Sequence, residues 1–437
     1  VLEGFQNASR IPELRRRLLF TFAMLAVYRV GVAIPTPGID GRALAEFFDQ
    51  VRNSVLGLVN LFSGGALEQF SIFALGIMPY ISASIILQLM TVVIPHLERL
   101  SKEGEAGRRK ITQYTRYGTV ILSIIQSLFI SIGLEKVTSP GGAPVVYNAG
   151  WSFRIMTIIT LSSGTAFLMW LGEQISERGI GNGISLIIFA GIVAAMPSAA
   201  ATTAQFVREG ELGPLVLLIL TAFMVAVVAF IIFVERGQRR IPVQYAKRVV
   251  GRRMYGGQSS HLPLKVNTAG VIPPIFASSL LVFPATIASF VEHPWAKQLA
   301  NYLSPGQALY TVVYVGLIIF FCYFYTAVTF NTSDVAENMK KFGGFIPGIR
   351  PGQRTADYID RVLVRITLGG AIYVSAVCVL PSILIRRFNV PFYFGGTALL
   401  IVVGVALDTI AQIETHMLTR SYQGFMRRGR LRGRRGG

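Results

Sequence analysis

Ten apolar runs recur along the chain, near 18–34, 70–94, 112–133, 152–171, 184–200, 214–234, 270–290, 308–330, 362–385 and 395–413, and they leave little choice of architecture. Each is close to the length a helix needs to cross about 30 Å of hydrocarbon, where every backbone N–H and C=O must be satisfied within the segment. A membrane β-barrel would instead show strands of about 10 residues with alternating polarity. The expected fold class is therefore an all-α membrane protein with ten transmembrane helices. Only 14% of the 437 residues are charged against 52% hydrophobic, and no soluble domain separates the runs. The first run follows a basic, proline-containing leader without a small-residue cleavage pattern, so it reads as a span and not as a removable signal.

Charge sets the orientation. With the first terminus inside, the basic clusters at Arg15 to Arg17, Arg108 to Lys110, Arg239 to Arg253, Lys340 to Arg365 and Arg420 to Arg435 all fall on the inner side. The net charge of +19 then lies wholly in inner segments, as the positive-inside rule requires, and both termini are cytoplasmic. Arg29 and Asp408 lie within apolar runs. A charge at mid-span costs about 2.5–3.5 kcal/mol, so Asp408 is expected to face protein or water, either with a structural partner or as a proton-coupling group. Arg29 lies near an outer end and is expected to snorkel.

The stretch ATTAQFVREGELGP at 201–214 has five runs before it and five after. An odd number per half makes an internal repeat inverted, so 1–200 and 201–437 are the expected halves, by counting alone. Two inner loops are too long for mere connectors. In loop 235–269, RRIPVQYAKRVVGRRMYGGQ alternates β-favouring residues with basic pairs and predicts a projecting β-hairpin, with Gly256-Gly257 suited to its turn. Loop 331–361 has a Gly/Pro-rich tip bearing Arg350, followed by a short amphipathic pattern. The tail 421–437 is basic, low in complexity and expected to be disordered.

One run begins badly. Residues 56–73, ahead of the apolar stretch that reaches Met90, form a short, moderately apolar helix candidate broken by Gly64-Gly65, with Gly76 and Pro79 behind it. Such a piece either folds back into the membrane where protein or water shelters its backbone, or rests on the outer surface. Beyond it, Ile81 and Ile85 lie one helical turn apart with small residues between them, and Ile184 and Ile188 repeat that spacing. Isoleucine pairs are ordinary in membrane helices, so spacing alone assigns them no role.

No catalytic signature is present: His96, His261, His293 and His416 are scattered, and HExxH, GxSxG and P-loop patterns are missing. Cys322 and Cys378 sit in different runs without metal spacing and read as packing residues. No catalytic residue, metal or cofactor is expected. Asn7-Ala8-Ser9 and Asn331-Thr332-Ser333 match the glycosylation pattern by chance, since both lie on the inner side. Arg239, Arg240, Lys247, Arg248, Arg252 and Arg253 are concentrated in one projecting loop, a surplus that suits an acidic or phosphate-rich partner as well as a solvated or lipid-facing surface.

The strings FSGGALEQFSIFALGIMPYISASIILQL, ERGIGNGISLIIFAGI, HLPLKVNTAGVIPPIFASS, GFIPGIRPG and VPFYFGGTALLIVV together resemble the SecY family, the large subunits of the Sec protein-conducting channel. The resemblance runs from RIPELRRRLLF to the basic tail. It implies two five-helix halves around an hourglass pore in the bacterial plasma membrane, through which unfolded secretory polypeptides pass and from which hydrophobic segments leave sideways into the lipid bilayer. It makes 56–73 a plug, with Leu61, Phe62, Gly64, Gly65 and Leu67 at its heart, and makes Ile81, Ile85, Ile184, Ile188, Ile275 and Ile401 a pore ring. It places a lateral gate at Ser84, Gln88, Ser278 and Ser279, whose side chains are expected to make breakable polar contacts across it. Fifteen central Leu, Ile, Phe or Val residues of a signal sequence gain about 5–9 kcal/mol on entering lipid, enough to draw it out through an open wall. The basic loop and Arg350 would receive the ribosome or the SecA motor ATPase, and SecE and SecG are the implied small subunits. The alternative is a secondary transporter of a small solute, which would also use inverted repeats and broken helices but needs polar ligands near the midplane. An intramembrane enzyme lacks its nucleophile or metal constellation.

Overall fold

Every apolar run contributes a helix, since a lipid-embedded backbone closes its hydrogen bonds on itself. The computed structural model describes residues 11–429 apart from 52–54, 140–141, 143, 211–212, 246–247, 251–252, 256–258, 291–293, 295–297, 299–301, 305–306 and 389–395. In chain order the helices before the first strand are α1 (Pro12–Val32), α2 (Gly41–Val51), α3 (Val55–Phe62), α4 (Met78–Val93), α5 (Pro95–Lys102), α6 (Glu105–Lys136), α7 (Trp151–Arg178), α8 (Gly183–Ala194), α9 (Met196–Arg208) and α10 (Pro214–Glu235). Then come β1 (Gln238–Tyr245), β2 (Arg248–Val250), β3 (Arg253–Tyr255), β4 (Ser259–Lys265), α11 (Ile272–Phe290), α12 (Ala308–Thr329), α13 (Thr332–Lys341), β5 (Gly344–Phe345), α14 (Gln353–Phe388) and α15 (Gly396–Gly429). Among the described residues seven helical segments are long and apolar enough to cross a membrane, and the pair α4–α5, bent by 100°, makes an eighth. The two remaining runs lie in α1, which carries Arg15, Arg16, Arg17 and Arg29, and in α11, apolar over Ile272–Val282.

The chain forms two compact units. The first comprises Val1–Ala204, Ser279–Gln307 and Val405–Gly437, the second Gln205–Ser278 and Ala308–Gly404. In the first unit α6 lies along α4 and α7. Its buried ridge is made of hydroxyls four residues apart, Thr115, Thr119, Ser123, Ser127 and Ser131. Each hydroxyl donates to a carbonyl of its own helix, so the ridge is both thin and satisfied, which lets neighbouring helices approach closely. Two Arg–Glu forks tie α6 to α7: the Arg116 guanidinium donates to both carboxylate oxygens of Glu173 at 2.9 and 2.8 Å, and Arg154 grips Glu135 at 2.6 Å through Nη2 while its own guanidinium lies over the Trp151 ring.

In the second unit the predicted hairpin is present: β1 pairs antiparallel with β4 from Gln238↔Lys265 to Gln244↔Ser259, and β2 with β3. The β2–β3 pairing runs from Arg248↔Tyr255 to Val250↔Arg253, and the Gly256-Gly257 pair expected to suit a turn lies outside the described residues. The second loop differs from expectation. It opens with α13, capped by the Asn331 side chain, which accepts from the backbone N–H of Ser333 and Asp334; the apparent glycosylation motif is a helix cap. Its amphipathic pattern is the first part of α14, a 36-residue helix that extends the ninth span. The first part of the tail, expected to be disordered, instead continues α15 to Gly429, and 430–437 lie outside the described residues. Arginine is a good helix former and its charge suits a helix C-terminus, which low complexity conceals. Cys322 and Cys378 are free thiols buried in this unit.

Candidate functional site

The glycines of 56–73 decide where its helix stops. The expected helix over the whole segment is present only to Phe62; from Ser63 to Ile77 the chain runs through successive turns. Gly64 and Gly65 take φ of +69° and +85°, the left-handed region where a β-carbon is penalised, and Phe70 follows at +41°. At eight residues the helix is too short to span a bilayer. Leu56, Phe62, Leu67, Phe70 and Phe73 are all buried, and Leu61 is partly so.

This segment is seated on α1, α7 and α8. The Tyr28 hydroxyl donates to the Ser63 carbonyl at 3.0 Å, and Arg29 Nη1 donates to the Gly64 carbonyl at 3.0 Å. Arg29 therefore does more than the snorkelling expected of it: it reaches a backbone acceptor of the segment. Gly64 meets Gly191 of α8 backbone to backbone; a β-carbon on Gly64 would lie 2.7 Å from Gly191 Cα and 2.7 Å from Tyr28 Oη. Phe73 stacks between Tyr28 and Phe167, and Gly164 makes room for the Ile72 carbonyl. Within the segment, Asn60 accepts from the Glu68 N–H and donates to its carboxylate, closing the turn on the helix.

The isoleucines are distributed over both units. Ile81 and Ile85 are buried on α4, and Ile188 is buried on α8. Ile184, partly exposed, lies in the first turn of α8, where Asn182 caps the helix, and packs on Gly172. In the second unit Ile275 and Ile401 are buried, and Ile275 is followed by Phe276, which stands edge-on to Phe321.

Three of the four residues assigned to the gate have their described bonds within their own helices. Ser84 accepts from Gln88 on the same helix, and Ser278 donates to the Ile275 carbonyl one turn back, so neither contact crosses between helices. Both are the usual choice of a hydroxyl on a helix in apolar surroundings, where the nearest acceptor is its own backbone. Ser279 alone of the four has a described bond to another helix, a long 3.7 Å contact to the Met78 sulfur at the start of α4. Met78 was not anticipated, because a thioether carries no polar signal in a sequence. Asp408 is exposed on α15.

The two inner loops are joined in one platform. β1 is the central strand of the order β4-β1-β5, with Gln244↔Phe345 and Tyr245↔Gly344 bringing the second loop to the first. Ile241, Leu264, Ile346, Ile359 and Leu363 form its core. Ile241 and Val243 point inward along β1, leaving Arg239 and Arg240 exposed. Arg350 is exposed at a tip shaped by Gly348 and Gly352, both at positive φ, and its carbonyl accepts from Thr355. Lys247 and Arg252 lie outside the described residues, and Arg248 and Arg253 are placed on β2 and β3 by backbone alone. Phe342, 77% exposed beside Lys340 and Lys341, is an apolar feature that charge counting passed over.

Comparison with known proteins gives one consistent result. The family described as SecY matches residues 71–410. The protein translocase subunit SecY of Escherichia coli K12 is 55% identical over 434 residues, covering 98% of each chain. Among solved structures, one described as a protein conducting channel superposes with a TM-score of 0.63 at 18% identity over 94% of this chain and 96% of that one. A second, Sec61 in the canine ribosome-channel complex from the endoplasmic reticulum, gives a TM-score of 0.61 at 16% identity over 94% of this chain and 96% of that one.

Proposed function

The chain belongs to the SecY family, and from that premise we propose how its residues make a gated, passive conduit for unfolded polypeptides. The chain is the channel subunit of a protein translocase, and a non-enzymatic one. Family membership sets aside the small-solute transporter. Driving force comes from a partner bound on the cytoplasmic face.

The observation that carries the reading is the seat of 56–73. A glycine-broken segment is held by two backbone acceptors and a stack of rings, contacts that can be released without unfolding a span. It acts as the plug of the closed channel. Ile81, Ile85, Ile184, Ile188, Ile275 and Ile401 act as the constriction: branched apolar side chains offer ions nothing in place of their hydration shell, and they close loosely around a translocating chain of any sequence. The polypeptide passes between the halves 1–200 and 201–437. Opening of the wall at Ser84, Gln88, Ser278 and Ser279 gives signal sequences access to lipid, and the weakness of the Ser279–Met78 contact suits a wall that must part.

The loop platform receives the ribosome or the SecA motor through Arg239, Arg240, Lys247, Arg248, Arg252, Arg253 and Arg350. The joining of both loops in one sheet supports this, because it gives the arginines of β1 and the Arg350 tip a common rigid base. SecE and SecG complete the complex in the bacterial plasma membrane, with both termini of this chain in the cytoplasm.

Site-specific photo-cross-linking from Ile85 and Ile188 to a stalled secretory precursor, with a surface position as control, tests the path. Cross-links from both sites place the polypeptide within the isoleucine constriction. Reaction of the surface control alone while export continues removes the constriction from the path.

A further inference from the structure

The contacts of Tyr28 and Arg29 fall on two consecutive carbonyls, Ser63 and Gly64, directly after the last residue of α3. A helix leaves its final carbonyls without intrahelical partners, and the partial negative charge of its C-terminus gathers there. Other helices here satisfy these groups locally, as α1 does through the Ala33 N–H. At α3 the N–H groups of Gly65 and Gly64 return to the Asn60 and Leu61 carbonyls, and the Ser63 and Gly64 carbonyls that follow the helix are met from α1. One is met by a neutral hydroxyl and the other by a guanidinium, whose charge also opposes the helix dipole.

We propose that Tyr28 and Arg29 are positioning residues that cap the C-terminus of α3 from another helix, and that this cap is the latch holding the segment 56–73 in place. The inference rests on the reading of that segment as a plug. The latch reads backbone and not side chains. It therefore depends on the shape of the Ser63–Gly65 turn, which explains why the contact point is a glycine pressed against a glycine: a β-carbon on Gly64 would lie 2.7 Å from Tyr28 Oη and 3.3 Å from Arg29 Nη1, crowding both donors. Release of the latch leaves the Ser63 carbonyl to find water or another donor, so it couples to hydration of the space that the segment vacates. Tyr28 adds a second contact, since its ring stacks on Phe73 at 6.2 Å. The hydroxyl and the ring thus hold opposite ends of the turn run.

The test uses the complete translocase reconstituted in planar bilayers without precursor, and reads the resting open fraction. Tyr28→Phe removes one donor and keeps the ring; the expected increase is about threefold. Arg29→Gln removes the charge-assisted bond, with an expected increase of about tenfold, and Arg29→Lys restores part of it because a single donor and the charge remain. The same substitutions are then made in a channel lacking residues 61–67. If the two residues act as a latch, they add nothing in that background. Equal effects with and without the segment would show that Tyr28 and Arg29 merely support α1, which overturns the latch while leaving the plug intact. Unchanged open fractions for both substitutions in the intact channel, with a rise on deleting 61–67, overturn it too. No rise on deletion removes the plug reading itself, and the latch falls with it through a different result.

Discussion

Gly64→Ala should open the resting channel far more than Gly65→Ala, although the two glycines are adjacent and both at positive φ. At Gly65 a β-carbon meets no atom within 4 Å, so the substitution costs only the left-handed backbone, about 1–2 kcal/mol. At Gly64 the same backbone penalty applies, and the β-carbon must also fit 2.7 Å from Gly191 Cα and 2.7 Å from Tyr28 Oη, distances that real β-carbons essentially never show. A main-chain neighbour cannot rotate away, so overpacking adds about 1–3 kcal/mol. Both costs fall on the seated segment and are relieved when it leaves. The extra 1–3 kcal/mol at Gly64 shifts the seated-to-released ratio by about 5- to 150-fold beyond the Gly65→Ala effect. Single-channel recording of the reconstituted complex without precursor measures this difference. Equal open fractions for the two variants would refute the close approach of Gly64 to α8 as the element that seats the segment.

Further outcomes are expected elsewhere in the molecule. Ile85→Asn or Ile275→Asn places an amide in the proposed apolar constriction and should raise ion conductance and tolerance of defective signal sequences; unchanged values for both would remove these two residues from the ring. Arg350→Glu should impair motor-driven export while the protein still inserts normally, as judged by export assays alongside membrane fractionation, and normal export would separate Arg350 from partner docking. Ile359→Ala opens a cavity in the platform core and should cost about 2–5 kcal/mol locally. Protease cleavage of loop 235–269 should then accelerate and partner binding weaken, with the resting open fraction unchanged; wild-type cleavage rates would contradict the joined-platform reading.

The parts of this fold legible in the sequence were those governed by local chemistry. Helical spans follow from apolar length, the hairpin from β-favouring residues around basic pairs, and the interruption at Gly64-Gly65 from the glycines themselves. Elsewhere a local signal had two structural outcomes. Ser84, Gln88 and Ser278 looked available for contacts between helices, but their own helices offered nearer partners. Asn331, whose glycosylation pattern reads as chance, serves as a helix cap, a role its pattern did not announce. Arg29 did carry a signal, a charge inside an apolar run, but its acceptor is a backbone carbonyl 35 residues away that no pattern announces.

By itself the sequence determined that this chain is a multi-pass membrane protein and set the expectations for its orientation and the positions of its spans. Hydrocarbon imposes those answers on each segment separately, so composition over about twenty residues is sufficient. Only the tertiary structure decided that a broken fragment has a seat, that two loops make one platform, and that Tyr28 and Arg29 meet the end of α3. Such contacts depend on which backbone atoms are brought within 3 Å by elements far apart in the chain, and a carbonyl looks the same in every residue.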